Sequence, residues 1–183
     1  MTRSTAREIA IHCAFSIGFF HQTTEEFLQT RLNPETFQRW KEEDPLYREY
    51  PNEKQVQYIT QLVRGVLDHG PELDDYIAKY AKNWAFSRIS RTAAAIMRVA
   101  MYEILYMPQI PNAAAINEAV EIAKGYEEPK VVSFINGILG AFVRDEFPEE
   151  ASEKKAPAPA AEAPAPSPDT LKEAVPVPEG EEQ

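Results

Sequence analysis

Cysteine is nearly absent: the 183-residue chain has one, Cys13. One thiol cannot close an internal disulfide or supply a cysteine-rich zinc site. Histidine is scarce as well, with only His12, His21 and His69. His12 neighbours Cys13, but adjacent helical residues point about 100° apart, which defeats a Cys–His nucleophile pair. The seven glycines, Gly18, Gly65, Gly70, Gly125, Gly137, Gly140 and Gly180, are scattered, so no glycine-rich phosphate loop is built. Glu118 and Glu121 lie three apart, but no Glu-x-x-His motif stands elsewhere to complete a carboxylate metal site; they read as a solvated face. No apolar run reaches the roughly 18 residues of a membrane span. The most apolar stretch, residues 92–107, is broken by Arg98 and Glu103. The opening residues lead straight into an amphipathic pattern without a signal-peptide core. Together these absences predict a soluble, cytoplasmic, non-catalytic protein without metal or cofactor.

Proline and charge are unevenly spread. Seven of the 15 prolines fall in residues 151–183, together with eight alanines. Of the formal net charge of −10, that segment carries −4 and residues 1–150 carry −6. The composition predicts a globular domain over 1–150 and a disordered, acidic Pro/Ala-rich tail over 151–183. About 150 residues can bury roughly 70% of the unfolded chain's surface, enough for a core without staples.

Within the domain the apolar residues recur at helical spacing and no period-2 strand stands out. Ser4 or Thr5 can cap a first helix whose stripe of Ile9, Cys13, Ile17 and Phe20, widened by Phe15 and Phe19, predicts burial. Two short pieces follow, around residues 24–28 and around Phe37 and Trp40. Asn52 caps the next helix, with Val56, Ile59, Leu62, Val63, Val66 and Leu67 inward and a stop at His69-Gly70-Pro71. Residues 72–82 repeat the pattern. Ser87 or Ser90 opens a longer helix ending before Pro108, Asn112 caps another ending at Gly125, and a last one follows Pro129. The fold class is all-α, about seven helices joined mostly by short links.

Charge supplies the first functional hint. From Tyr76 to Tyr102 there is no acid, yet Lys79, Lys82, Arg88, Arg91 and Arg98 occur beside Trp84 and Phe86. Cations with interleaved aromatics bind phosphates and stack bases. Alternatively, these cations neutralise acids elsewhere on the surface, and Trp84 belongs to the core.

Three blocks narrow the choice. The chain reads Trp84 and Arg88, then residues 96–103 as Ile-Met-Arg-Val-Ala-Met-Tyr-Glu, then Ile110-Pro111. Residues 115–124 read Ala-Ile-Asn-Glu-Ala-Val-Glu-Ile-Ala-Lys, and residues 134–139 Phe-Ile-Asn-Gly-Ile-Leu. With Ala6-Arg7-Glu8-Ile9-Ala10 in front, this order and spacing resembles the NusB family of transcription antitermination factors over roughly residues 3–145. The resemblance implies a helical bundle of two packed subdomains. It also implies binding of boxA-type single-stranded RNA in nascent ribosomal RNA transcripts together with NusE, a small-subunit ribosomal protein. Docking on RNA polymerase with other Nus factors follows, without catalysis.

Carried over residue by residue, the resemblance implies RNA contacts at Arg3 and Arg7, which stand where relatives have an arginine-rich run. Phe15 stands where relatives often have Tyr and serves either RNA and NusE or the core. Phe134 stands at an RNA-contacting aromatic position, with core packing as its other role. Lys130, at a place often polar or acidic in relatives, favours phosphate. Arg91 and Ala93 belong to the surface expected to adjoin NusE. Trp84, Arg88, Arg98, Asn117 and Glu118 read as fold-maintaining, with Arg98 in reach of Tyr102 and Asn117 offered to a buried hydrogen bond. NusB-like domains also precede catalytic domains of ribosomal RNA cytosine methyltransferases, but residues past 150 read only as tail. The remaining alternative is a protein-interaction module of this fold with weakened RNA binding. Monomer and homodimer are both open.

Overall fold

The computed structural model describes residues 1–82 and 86–148. The expectations placed on Trp84 and on the Pro/Ala-rich tail lie outside the described residues. Eight α-helices follow one another: α1 (Arg3–Ser16), α2 (Thr24–Arg31), α3 (Pro34–Trp40), α4 (Glu53–Asp68), α5 (Gly70–Tyr80), α6 (Arg91–Tyr106), α7 (Asn112–Ala123) and α8 (Pro129–Glu146). Single 3-10 turns lie at Ile17–Phe19, Pro45–Tyr47 and Phe86–Arg88, and no strand occurs among the described residues. The all-α expectation holds.

Both short pieces before residue 41 form because each has its own cap. Thr23 and Glu26 build a reciprocal capping box at the start of α2. Asn33 Oδ1 accepts from the Thr36 amide at 2.8 Å, with Pro34 in the first turn of α3. Asn52 caps α4 as expected, in a box with Gln55, and Ser90 caps α6.

Other boundaries differ from expectation for local reasons. Thr2, not Ser4 or Thr5, caps α1, its hydroxyl accepting from the Thr5 amide at 3.0 Å. The His69-Gly70-Pro71 stop ends α4 but also starts α5, since proline fits a first helical turn. Pro111 rather than Asn112 is the N-cap of α7. Asn117 is exposed, so it does not serve a buried hydrogen bond.

Helix α6 organises the bundle. It is buried on nearly every side from Ala93 to Ile104 and packs against α1, α4, α5, α7 and α8. Helices α1 and α4 form one group with it, and α5, α7 and α8 the other, so two subdomains share one apolar spine. Its one acid, Glu103, is fully buried. Arg7 of α1 meets it with two parallel bonds, Nε to Oε2 at 2.8 Å and the second terminal nitrogen to Oε1 at 3.0 Å. The first terminal nitrogen of Arg7 reaches Glu118 of α7 at 2.9 Å, and the Tyr58 hydroxyl of α4 donates to Glu103. Burial pulls the Arg7 pKa down, but the bonds and charge of Glu103 outweigh it and hold the guanidinium above its ordinary value. Burial, then the Glu103 charge, pushes the Tyr58 phenol well up.

Tyr102 takes a different partner from the one its spacing suggests. Arg98 forks onto Asp74 of α5 instead, at 2.7 and 2.8 Å. The Tyr102 ring lies over Gly65 of α4, and a Cβ there would sit 1.9 Å from the ring. His69 and Tyr106 flank that ring at 5.9 and 5.0 Å, which leaves it little freedom to withdraw.

Two outcomes follow for stability. Arg7→Ala strands a buried carboxylate and lowers unfolding free energy by about 3–5 kcal/mol in urea titration. Gly65→Ala destabilises the native chain despite the roughly 1 kcal/mol helix preference for Ala over Gly. In a Tyr102→Ala background the sign reverses and the same Gly65→Ala change stabilises, which a double-mutant cycle measures.

Candidate nucleic-acid and partner interface

The inner face of α1 carries Ala6, Ile9, Ala10 and Cys13 into the core. Burial drives the Cys13 thiol up to about 12, so it is an inert core group. The outer face carries His12 and Phe15. Ser16 then bonds back to the His12 carbonyl at 2.6 Å, and Ile17–Phe19 tightens into a 3-10 turn. That change of pitch swings Phe19 outward. The buried stripe expected of this helix therefore loses two aromatics: Phe15 is 38% and Phe19 57% exposed. Phe20 is also exposed, against Phe27 and Arg31.

Phe15 and Phe19 pack against each other at 5.5 Å, and the Arg91 guanidinium sits 5.1 Å over the Phe19 ring. An open cleft of about 530 Å³ runs between them and Phe86, Ser87 and Arg98. On the other side of Phe15 lies a second cleft of about 250 Å³, lined by Ile11, His12, Ser16, Thr92 and Tyr126. Phe15 is thus the shared wall of two hollows. An exposed ring beside a guanidinium that no described carboxylate pairs suits either a base or an anchor side chain of a protein partner.

Tyr126, in the turn between α7 and α8, closes the second cleft. Its hydroxyl donates to Glu8 Oε1 at 2.5 Å and stands 2.7 Å from His12 Nε2. The hydroxyl proton goes to the carboxylate, so Nε2 is the donor of the other bond. Burial, set against the opposing charge of Glu8, lowers the His12 pKa and keeps the ring neutral. Burial, then the bond to Glu8, raises the Tyr126 phenol. Sequence reasoning singles out neither His12 in this role nor Tyr126; an aromatic following Gly125 at a helix end is the only available signal.

The other expected site residues are placed as follows. Arg3 is exposed, its guanidinium 5.9 Å from the Tyr58 ring centre. Arg7 is 2% exposed with its donors spent on Glu103 and Glu118, so it belongs to the core and offers nothing to a phosphate. Lys130 is exposed in the first turn of α8, and half-buried Phe134 lies one turn further on the same face. Ala93 is 0% exposed and contributes packing; Arg91 and Thr92 present the surface there instead. The basic run between Tyr76 and Tyr102 is partly neutralised, Lys79 by Glu146 and Arg98 by Asp74. Among the described residues no carboxylate pairs with Lys82, Arg88 or Arg91. No group of three or more His, Cys, Asp and Glu among the described residues is arranged to hold a metal ion.

Comparison with known proteins places this geometry. The sequence profile of the NusB family matches residues 4–144. The chain is similar to transcription antitermination protein NusB of Carboxydothermus hydrogenoformans, 38% identical over 153 residues, covering 82% of this chain and 100% of that protein. It is 34% identical over 145 residues to transcription antitermination protein NusB of Bacillus subtilis, covering 79% and 97%. Among solved structures, T. maritima NusB superposes with a TM-score of 0.61 at 26% identity, over 84% of this chain and 98% of that one. A chain from a crystal structure of antitermination factors NusB and NusE with double-stranded RNA shares the fold, with a TM-score of 0.62 at 19% identity over 78% and 96%. The profile match over nearly the whole helical domain, and relatives covered almost end to end, make this chain a member of the NusB family.

Proposed function

We propose that this protein is a transcription antitermination factor. It binds boxA-type RNA in nascent ribosomal RNA transcripts together with NusE, and the assembly helps RNA polymerase, with other Nus factors, read through terminators. The reading is carried by the exposed Phe15–Phe19–Arg91 cluster, on a helical scaffold whose curated relatives bear the antitermination name. The role is scaffolding, with no chemical step. NusE docks on the cleft between Phe19, Phe86 and Arg91, and the transcript runs past Arg3, Lys130 and Phe134 with Phe15 at the junction. Single-stranded RNA is read by cations on its phosphates and aromatics on its unstacked bases.

With Arg7 withdrawn into the core, the N-terminal cationic run is reduced to Arg3. RNA binding by the free chain is therefore weak, and NusE supplies the missing affinity through the shared transcript. The same withdrawal favours a second reading, a protein-interaction module that has lost RNA binding; that module retains NusE but gains nothing from RNA.

Fluorescence anisotropy with a boxA-type RNA, across a salt series and with and without NusE, separates the two. The expected result is binding tighter with NusE than by either protein alone, by the same factor in both directions. Equal retention of a scrambled RNA overturns the antitermination reading. Arg91→Ala and Phe15→Ala are each expected to weaken NusE capture about tenfold or more, as hot-spot truncations do. Arg3→Ala leaves capture unchanged and reduces the RNA salt slope by about one unit.

A further inference from the structure

The cleft beside Phe19 combines two kinds of wall. Phe15, Phe19, Leu67 and Phe86 give it apolar sides, and Arg91 and Arg98 give it guanidiniums; no carboxylate lines it. Arg98 is held by Asp74, but among the described residues no carboxylate holds Arg91, and exposed Arg88 stands nearby in the same condition. The hollow where α1 and α4 begin also carries cations, Arg3 and Lys54, but its walls are largely amide, from Gln55, Gln57, Gln61 and Gln109. The Phe19 cleft therefore fits a segment that alternates aliphatic side chains with acids.

This chain contains such a segment. Residues 169–182 lie outside the described structure; their sequence reads Asp-Thr-Leu-Lys-Glu-Ala-Val-Pro-Val-Pro-Glu-Gly-Glu-Glu. Leu171, Val175 and Val177 are the aliphatic members, set among five acids and one cation, Lys172. Proline's fixed φ, at positions 176 and 178, lowers the cost of ordering it.

Reach is sufficient. Helix α8 ends at Glu146, which accepts from Lys79 and Tyr80 of α5. The same α5 carries Asp74, the partner of Arg98 in the cleft wall. A 23-residue connection, the length from Glu146 to Asp169, spans about 26 Å as a random coil and ~70 Å when extended. A domain of about 150 residues has a radius of gyration of about 15 Å. A tether of that length holds its end at an effective concentration in the millimolar range, so even a contact of about 1 mM affinity is substantially occupied.

We propose that residues 169–182 dock in the Phe19 cleft of their own chain, the aliphatic side chains against the aromatic walls and the acids on Arg91 and Arg88. The segment then competes with NusE for that cleft. The competition rests on the NusE-docking reading above; the docking itself does not.

The test places a nitroxide on the full chain at Ala174→Cys. Buried Cys13, its thiol held up at about 12, stays unmodified. Amide resonances of Phe19, Phe86 and Arg91 are expected to broaden far more than those of Gln38 or Gln61. A tail variant, Val175→Ser, Val177→Ser, Glu179→Gln, Glu181→Gln, Glu182→Gln, is expected to lose that contrast, with helicity checked by circular dichroism, and to capture NusE about two- to tenfold more tightly than wild type. Broadening spread evenly over the domain, or a contrast that the variant keeps, overturns the docking. Broadening of a nitroxide-free chain by a separate labelled one assigns the contact to a second copy and overturns the intramolecular form. Docking with NusE capture unchanged in the variant overturns the competition and moves NusE off this cleft, while the contact within the chain stands.

Discussion

The Arg7–Glu103 pair is the constraint on which the functional surface depends. Burying two ions is expensive, and such a pair is tolerable only when every lone pair and proton is matched. Here the matching is nearly complete: Arg7 forks onto Glu103, its remaining terminal nitrogen reaches Glu118, and Tyr58 donates to Glu103. Those four residues come from α1, α6, α7 and α4, so the network ties both subdomains together at one point. It also fixes α1 in rotation and in height. Phe15 follows Arg7 by eight residues, a little over two turns, so a locked Arg7 determines the direction in which Phe15 leaves the bundle. A slip of α1 by one residue would rotate that ring by about 100°. The interior ion pair is thereby part of how the outer face is aimed.

Much of this fold is legible in the sequence because local signals and apolar period agree. Asn52 with Gln55, Ser90 before α6, and Pro129 at the start of α8 each mark an end that the periodic residues then extend. The failures have separate physical causes. Three hydroxyl residues, Thr2, Ser4 and Thr5, compete to cap α1, and composition alone does not choose among them. Arg7 reads as a surface cation until Glu103, 96 residues away in sequence, supplies its partner. Phe15 and Phe19 extend an apolar stripe in projection, but the switch from α to 3-10 pitch after Ser16 turns Phe19 out, and no neighbouring helix covers Phe15. The resemblance puts Ala93 on the partner surface, whereas it lies on the buried side of a helix that is apolar nearly all round. Tyr126 is illegible because its meaning comes from Glu8 and His12, more than a hundred residues earlier.

The charge balance explains how an acidic chain can accommodate a polyanion. Net charge acts at long range and is screened within about 8 Å at physiological salt, so what matters is the sign of the surface within that distance. The structure separates spent cations from available ones. Arg7, Lys79 and Arg98 are held by carboxylates. Among the described residues no carboxylate holds Arg3, Lys54, Arg91 or Lys130, and each stands beside an aromatic ring or an amide-lined hollow. Pairing the first group to acids keeps the fold from self-repulsion, and leaving the second unpaired concentrates positive potential at a few places.

These available cations sit on or beside α1 and the starts of α4, α6 and α8, all elements locked to the common core. That arrangement sets what kind of cooperation the protein can support. Two ligands held on rigid elements of one scaffold need no conformational relay: if NusE and the transcript also touch each other, each raises the effective concentration of the other at the scaffold. Linkage then requires the gain to be reciprocal. On the proposed reading, a chain with few phosphate contacts profits most from this arrangement, because a slight grip on RNA is completed by the partner. On that reading the reduced arginine run and a shared, rigid α1 are parts of one design, in which weak individual contacts would make the assembled complex, rather than either protein alone, the species that recognises RNA.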